Sequence, residues 1–470
     1  MSEVSWPWQE EPLLQGASQR AAPARPLSPE PWSRSGVGLG STGHNALGGP
    51  QRPALDALAG LAELRQGAAQ MTAQNRSWWP VSHGQVLDDA ASLQSCIDPD
   101  QLEEEVCDLL GRHWRDLYEE HHAGLVAPEW LEGLLHAADR RAGDRGVRRL
   151  VYGVALIAAP GLADLALDVM RHASVGSDDG EPAWLGVPPA VTASPDLLLL
   201  RDTYGLRFGL LAQVTGPGAL QRTYLFDVDP CHGFHQVLGS GYHSGTATAT
   251  AVWRGLVGPS AAAAEPEPVP DDLLAHVLPG DGMFDVLFGR PVSDSHFTEL
   301  FRSDGIVSAI VKALGAAGRP YTRPVGDPGR AIVLADSLSE QFKAWAARHH
   351  VDVPASTGPD DDIVTWLLHD WVSSDMPEAL AVACSPHRIA AFPAYLNDDW
   401  QEAHRMHALT VLQPWARFCL DRTGIGGEAA EEVLAWAGRA ADDPVSVGAD
   451  LGDYLNRPID ETTVTGPAAR

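Results

Sequence analysis

The chain reads as an α+β protein, predominantly helical with a small antiparallel β-sheet (hairpin about 206–229), followed by a mainly α-helical second unit. Three observations predict this. Apolar residues recur at three- and four-residue spacing over most of the length. One interval switches to the two-residue alternation of a hairpin. Proline-rich stretches punctuate both patterns. With 470 residues, 44% of them hydrophobic, the chain exceeds the length at which one core usually stops growing. The expected division is a disordered Pro/Gly-rich arm over 1–54, an α+β domain over 55–258, an acidic Pro-rich linker over 259–270, a mainly helical domain over 271–456 and a disordered tail over 457–470.

Residues 1–54 hold eight prolines and seven glycines with no sustained apolar period, a composition that cannot bury enough surface to order itself. Leu55, Leu58, Leu61 and Leu64 then share a helical face. Asp98-Pro99 is a helix start, the carboxylate capping free N–H groups and proline occupying the first position, where its missing N–H costs nothing. Leu102, Val106, Leu109, Leu110, His113 and Leu117 follow on one face, which leaves Glu103, Glu104 and Glu105 toward solvent. Pro128-Glu129 opens another helix, and LVYGVALIAAPGLADLALDVM reads as two core helices broken at Pro160-Gly161.

The texture changes after Ser177-Asp178-Asp179-Gly180. Leu206 to Val214 is a strand, TGPGALQ a turn, and Tyr224 to Asp229 the returning strand; Phe234 to Leu238 adds a third before the glycine-rich GSGYHSG. Thr246 to Val257 is a helix expected to turn Val252 and Leu256 inward. Beyond the linker, His296 to Leu314 carries Phe297, Leu300, Ile306, Ile310 and Leu314, and Ile332 to His350 carries Phe342 and Trp345. Asp360-Asp361-Asp362 caps Ile363 to Val372, Ser385-Pro386 is a second capped start, and Glu402 to Leu420 and Glu428 to Ala440 complete the helices.

The formal net charge is −29, and such a field repels phosphate backbones and anionic lipid. The one basic run, Arg140, Arg141, Arg145, Arg148 and Arg149, is interleaved with acids and carries no aromatic to stack on bases. A nucleic-acid partner is therefore disfavoured, and so is a membrane. The five cysteines, Cys96, Cys107, Cys231, Cys384 and Cys419, are an odd number with no CxxC pair, which points to a reducing, cytoplasmic setting. GVGLGSTG lacks the lysine and the preceding strand of a phosphate loop.

Two stretches carry a resemblance. PAWLG, DTYGLRF, YLFDVDPCHG and AVWRGLVG in that order, then SPHRIAAFPAYLNDDW and LQPWARFCLDRTGIGGEAAEEVLAWA, resemble a group of actinobacterial proteins with no established activity. The resemblance implies the helical-plus-small-sheet unit followed by a helical unit, and assigns no site residue.

The densest reactive stretch is YLFDVDPCHGFHQVLGSGYH. Carboxylate, thiolate and imidazole are all donors that zinc or another divalent metal accepts, so Asp229, Cys231, His232, His235 and His243 are the candidate metal ligands, with Asp227 as a base. The spacing matches no finger or hydrolase signature, and the same residues are accounted for by Asp227 and Asp229 capping a turn, Cys231 filling a small apolar gap and the histidines lying on the surface. His404 and His407 share a helix face without a Glu-x-x-His partner helix, and Cys384-Ser385-Pro386-His387 is explained by its helix start although it invites a Cys–His reading. With no coherent catalytic set, no catalytic residue and no cofactor are assigned. The expected function is a soluble cytoplasmic binding or regulatory protein without catalysis, meeting a protein partner through Trp6, Trp8 and Trp32 of the arm. The alternative is a metal-dependent, hydrolase-like enzyme using the cluster at 227–243.

Overall fold

The structure is a computed structural model that describes residues 78–121, 127–173, 181–187, 190–230, 236–279, 294–319, 321, 328–353, 362–372, 376–396 and 402–444. The arm with Trp6, Trp8 and Trp32, the helix expected near 55–71 and the tail lie outside these residues. The described residues fall within one compact unit, residues 47–470.

The chain begins with a helical layer: α1 (Trp79–Asp89), a 3-10 turn (Ala90–Ser95), α2 (Pro99–His121), α3 (Ala127–Asp139), α4 (Arg145–Ile157) and α5 (Pro160–Ala173). The start of α2 is the one its sequence predicts, with Asp98 Oδ1 accepting from the Gln101 N–H at 2.7 Å. Trp114 and Trp130 pack at 5.4 Å between ring centres, and around them Leu102, Val106, Leu110, Leu134, Leu150 and Val154 form the first core. The run expected to break at Pro160-Gly161 breaks two residues earlier, because Pro160 opens α5 at its first position.

The sheet follows as β1 (Thr192–Ala193), β2 (Leu198–Arg201), β3 (Phe208–Thr215), β4 (Gln221–Asp229), β5 (Gln236–His243) and, after α6 (Thr246–Val257), β6 (Glu267–Pro268). Its order is β5-β4-β3-β2-β6 with β1 also on β3, and its pairs are antiparallel. The β3–β4 hairpin is the predicted one. β5, however, runs through the glycine-rich GSGYH that was expected to follow it. Glycine suits this stretch because Gly241 sits at φ 159° and a bulge interrupts the register between Asp227 and Val228. Residues 259–270 contain a short 3-10 turn and β6.

Both faces of the sheet are covered. One presents Leu225 and Leu211 to α6, where the inward residues are Ala249, Trp253 and Val257. Val252 and Leu256, the expected inward pair, sit half-buried at the margin, each about 100° around the helix from the buried residue that follows it, Trp253 and Val257. The other face presents Leu210, Tyr224, Phe226 and Val228 to a larger core completed by C-terminal helices. These are α7 (Asp271–Val277), α8 (Asp294–Ala316), α9 (Pro328–His349), α10 (Ile363–Trp371), α11 (Glu378–Ala381), α12 (Pro386–Tyr395), α13 (Glu402–Thr423) and α14 (Gly427–Asp442). α8 joins the two cores: Phe297, Leu300 and Phe301 pack into the first, and Ile306, Ile310 and Leu314 into the second.

Candidate functional site

Strand β4 organises the buried polar chemistry. Its residues from Thr223 to Asp229 are all buried, so every polar side chain on it must find a partner inside the protein. At the Asp227 end, Arg207 makes a two-pronged bond to the Asp227 carboxylate, Nε at 3.0 Å and Nη2 at 2.6 Å. Trp253 Nε1 donates to the same carboxylate at 3.1 Å. Arg207 and Asp227 are 7% and 2% exposed. The tryptophan that fills the α6 face thus also completes this ion pair.

Two residues on, Asp229 Oδ1 lies 3.5 Å from His387 Nε2, and His387 Nδ1 lies 2.9 Å from Ser385 Oγ. Ser385 caps α12 as its sequence predicts, accepting from the Arg388 N–H at 3.2 Å. Asp202 stands close by, accepting from the Leu206 and Arg207 N–H groups. Burial raises its carboxyl above the ordinary range, and the charge of His387 works against that rise. A serine, an imidazole and a carboxylate in series are the parts of an activated nucleophile. Here the serine is 0% exposed and its oxygen holds a helix start. In this arrangement the series fastens α12 to the end of β4.

The candidate metal ligands are distributed unevenly. Asp229 belongs to the series just described. Cys231, His232 and His235 lie outside the described residues. His243 pairs with Thr223, whereas Asp229 pairs with Gln236. Six residues of strand separate Thr223 from Asp229, roughly 20 Å at about 3.3 Å per residue. Ligands of one ion sit within about 2 to 2.5 Å of it, so Asp229 and His243 are not brought together. Burial lowers the basicity of His243 at its own end of the strand. Asp227, the expected base, is committed to Arg207. Among the described residues no group of three or more His, Cys, Asp or Glu could hold a metal ion.

The second polar centre, at the opposite end of β4, was not foreseen. Glu103 was expected to face solvent, but it is 1% exposed. Arg302 Nε lies 3.2 Å from it and Arg222 Nη2 3.1 Å. Arg302 also bonds Glu104 at 2.7 Å and Glu299 at 2.6 Å, and Arg222 reaches Asp100 at 3.3 Å. Tyr224 donates to Glu299 at 2.8 Å, and the Arg222 guanidinium lies 3.7 Å from the centre of the Tyr242 ring. One signal was available. Glu103 directly follows Leu102 on α2, at the edge of the apolar face, where two arginines distant in sequence can cover it.

The basic run is consumed locally. Arg149 Nη1 donates to the carbonyls of Leu93, Gln94 and Cys96, Arg148 pairs with Glu181 at 2.7 Å, and Arg141 with Asp88 at 2.6 Å. Cys96, Cys107, Cys384 and Cys419 are buried free thiols. His407 is exposed on α13. Among the described residues no helix is long and apolar enough to cross a membrane.

Comparison with known proteins finds no matching family model, no similar curated protein and no similar solved structure.

Proposed function

We propose that the protein is a non-catalytic binding or regulatory protein of the cytoplasm that works through protein contacts, with Trp6, Trp8 and Trp32 as anchors. The observation that supports this reading is the commitment of Asp227: 2% exposed and held from two sides by Arg207 and Trp253, it serves the fold. An indole on a Pro/Gly-rich segment offers a large contact area at low rotamer cost. The test begins with a partner identified by cross-linking to the full chain, whose affinity is then measured against the triple variant Trp6→Ala/Trp8→Ala/Trp32→Ala. An anchor residue is worth about 2 kcal/mol or more, so weakening of at least about 30-fold is expected, with an unchanged circular dichroism spectrum. Undiminished affinity overturns the reading.

A second reading is favoured by one contact, Asp229 against His387, which sets a carboxylate beside an imidazole at the point where the chain continues into Cys231. In this reading zinc or another divalent ion is held by Asp229, Cys231, His232 and His235, and the protein is a metal-dependent hydrolase. Metal analysis decides it. A stoichiometric ion lost in His232→Ala/His235→Ala and retained in His243→Ala supports it, and a metal-free folded protein ends it.

A further inference from the structure

At the Arg222 end of β4, four carboxylates face two guanidiniums. Asp100, Glu103 and Glu104 come from α2, Glu299 from α8, Arg222 from β4 and Arg302 from α8. With every group ionised the cluster carries two uncompensated negative charges. The compensation is also uneven. Glu103 has both arginines within 3.2 Å. Among the described residues Glu299 has only Arg302, which it shares with Glu103 and Glu104, and its other partner is the neutral hydroxyl of Tyr224. Glu299 is therefore where a proton relieves the excess at least cost. It also sits where three elements meet, since α8 packs on α2 and on β5 beside β4.

We propose that this cluster is a proton-operated latch: a proton held on Glu299 fastens α8 to α2 and to the β4–β5 edge of the sheet, and its release loosens α8 as the surroundings pass from mildly acidic to mildly alkaline. The groups facing Glu299 are Glu103, Glu104 and Cys107 from α2, Tyr224 from β4 and Arg302 from its own helix; Asp100, Arg222 and Tyr242 complete the cluster around Glu103 and Glu104. Burial pushes the Glu299 carboxyl up to about 7, and Arg302 and the Tyr224 hydroxyl act against it; Glu104 and Glu103 add to the rise. Cys107 and Tyr224 are themselves driven toward their neutral forms by burial, so they add no further negative charge.

The sign follows from linkage. A carboxyl raised from 4.5 to about 7 binds its proton more tightly with the latch closed. The resulting stabilisation is complete below the open-state value and is lost as pH rises through about 7. Between about pH 5.5 and 8.0 the opening equilibrium should grow about 30-fold.

Hydrogen exchange on the full chain tests this, with intrinsic rates corrected for pH. In the wild type, protection over Phe297–Ser303 and Gly239–His243 is expected to fall about 30-fold across that range, and in Glu299→Gln to stay flat. Wild-type protection independent of pH, or a Glu299→Gln variant that keeps the dependence, overturns the proposal. Should Glu299→Gln not fold, Tyr224→Phe removes a donor to the ionised carboxylate and must move the transition to higher pH; an unmoved or lowered midpoint overturns it. Infrared spectroscopy supplies an independent readout, since the carbonyl stretch of a protonated carboxyl should vanish near neutrality in the wild type. Persistence of that band unchanged to alkaline pH sinks the idea as well.

Discussion

Replacing Arg207 with methionine isolates the ion pair that commits Asp227. The variant removes two bonds, at 3.0 and 2.6 Å. It leaves a carboxylate that is 2% exposed beside the single indole N–H of Trp253. Charge-assisted hydrogen bonds contribute about 1.5–3 kcal/mol each, and breaking a buried pair from one side costs about 3–5 kcal/mol because the remaining charge is stranded. The expected loss is therefore about 4 kcal/mol, a large fraction of the margin by which domains are stable. The double variant Arg207→Met/Asp227→Leu removes the stranded charge and should cost less than Arg207→Met alone. Urea unfolding followed by circular dichroism measures both. A midpoint for Arg207→Met within about 1 kcal/mol of wild type, or a double variant that costs the sum of the singles, would refute the reasoning and return Asp227 to consideration as a reactive group.

Three further outcomes are expected. Gly111→Ala should destabilise by about 1–3 kcal/mol despite alanine's better helix propensity, because its Cβ would stand 2.8 Å from the Thr298 backbone where α2 meets α8; a rise in melting temperature refutes that close approach. Ser385→Ala should lose about 0.5–2 kcal/mol as a lost cap, and hydrogen exchange should locate the loss in the first turn of α12. Arg149→Met should cost about 2 kcal/mol or more by leaving three carbonyls without their donor. Arg149→Lys should not restore it, since an ammonium lacks the planar fork.

The parts of this fold that were legible in the sequence are those fixed locally. Asp98-Pro99, Asp362 and Ser385-Pro386 announce helix starts through short-range chemistry, and all three cap as expected. The β3–β4 alternation follows from a period of two. The parts that stayed hidden depend on residues far away in sequence. Glu103 is buried only because Arg222 and Arg302, 119 and roughly 200 positions along, close over it. The two-residue strand β6 exists because β2 offers it an edge, and nothing in EPEPVP announces a strand. Of the candidate site, the composition of 227–243 identified the polar residues. The separation of Asp229 from His243 along β4 and β5 is a matter of register, which only the paired strands reveal.

Arg388 shows what it means for one side chain to hold a corner of the molecule. Its guanidinium donates to the carbonyls of Trp371, Leu380, Ala381 and Ala383 and lies 4.1 Å from the centre of the Trp371 ring. The ends of α10 and α11 and the start of α12 are thereby tied to a single buried cation that is 1% exposed. Releasing these carbonyls together would strand the charge, so Trp371 and residues 376–388 should open as one cooperative block rather than fray turn by turn. That block includes Ser385 and His387, so whatever frees the α12 start from β4 frees the whole corner with it.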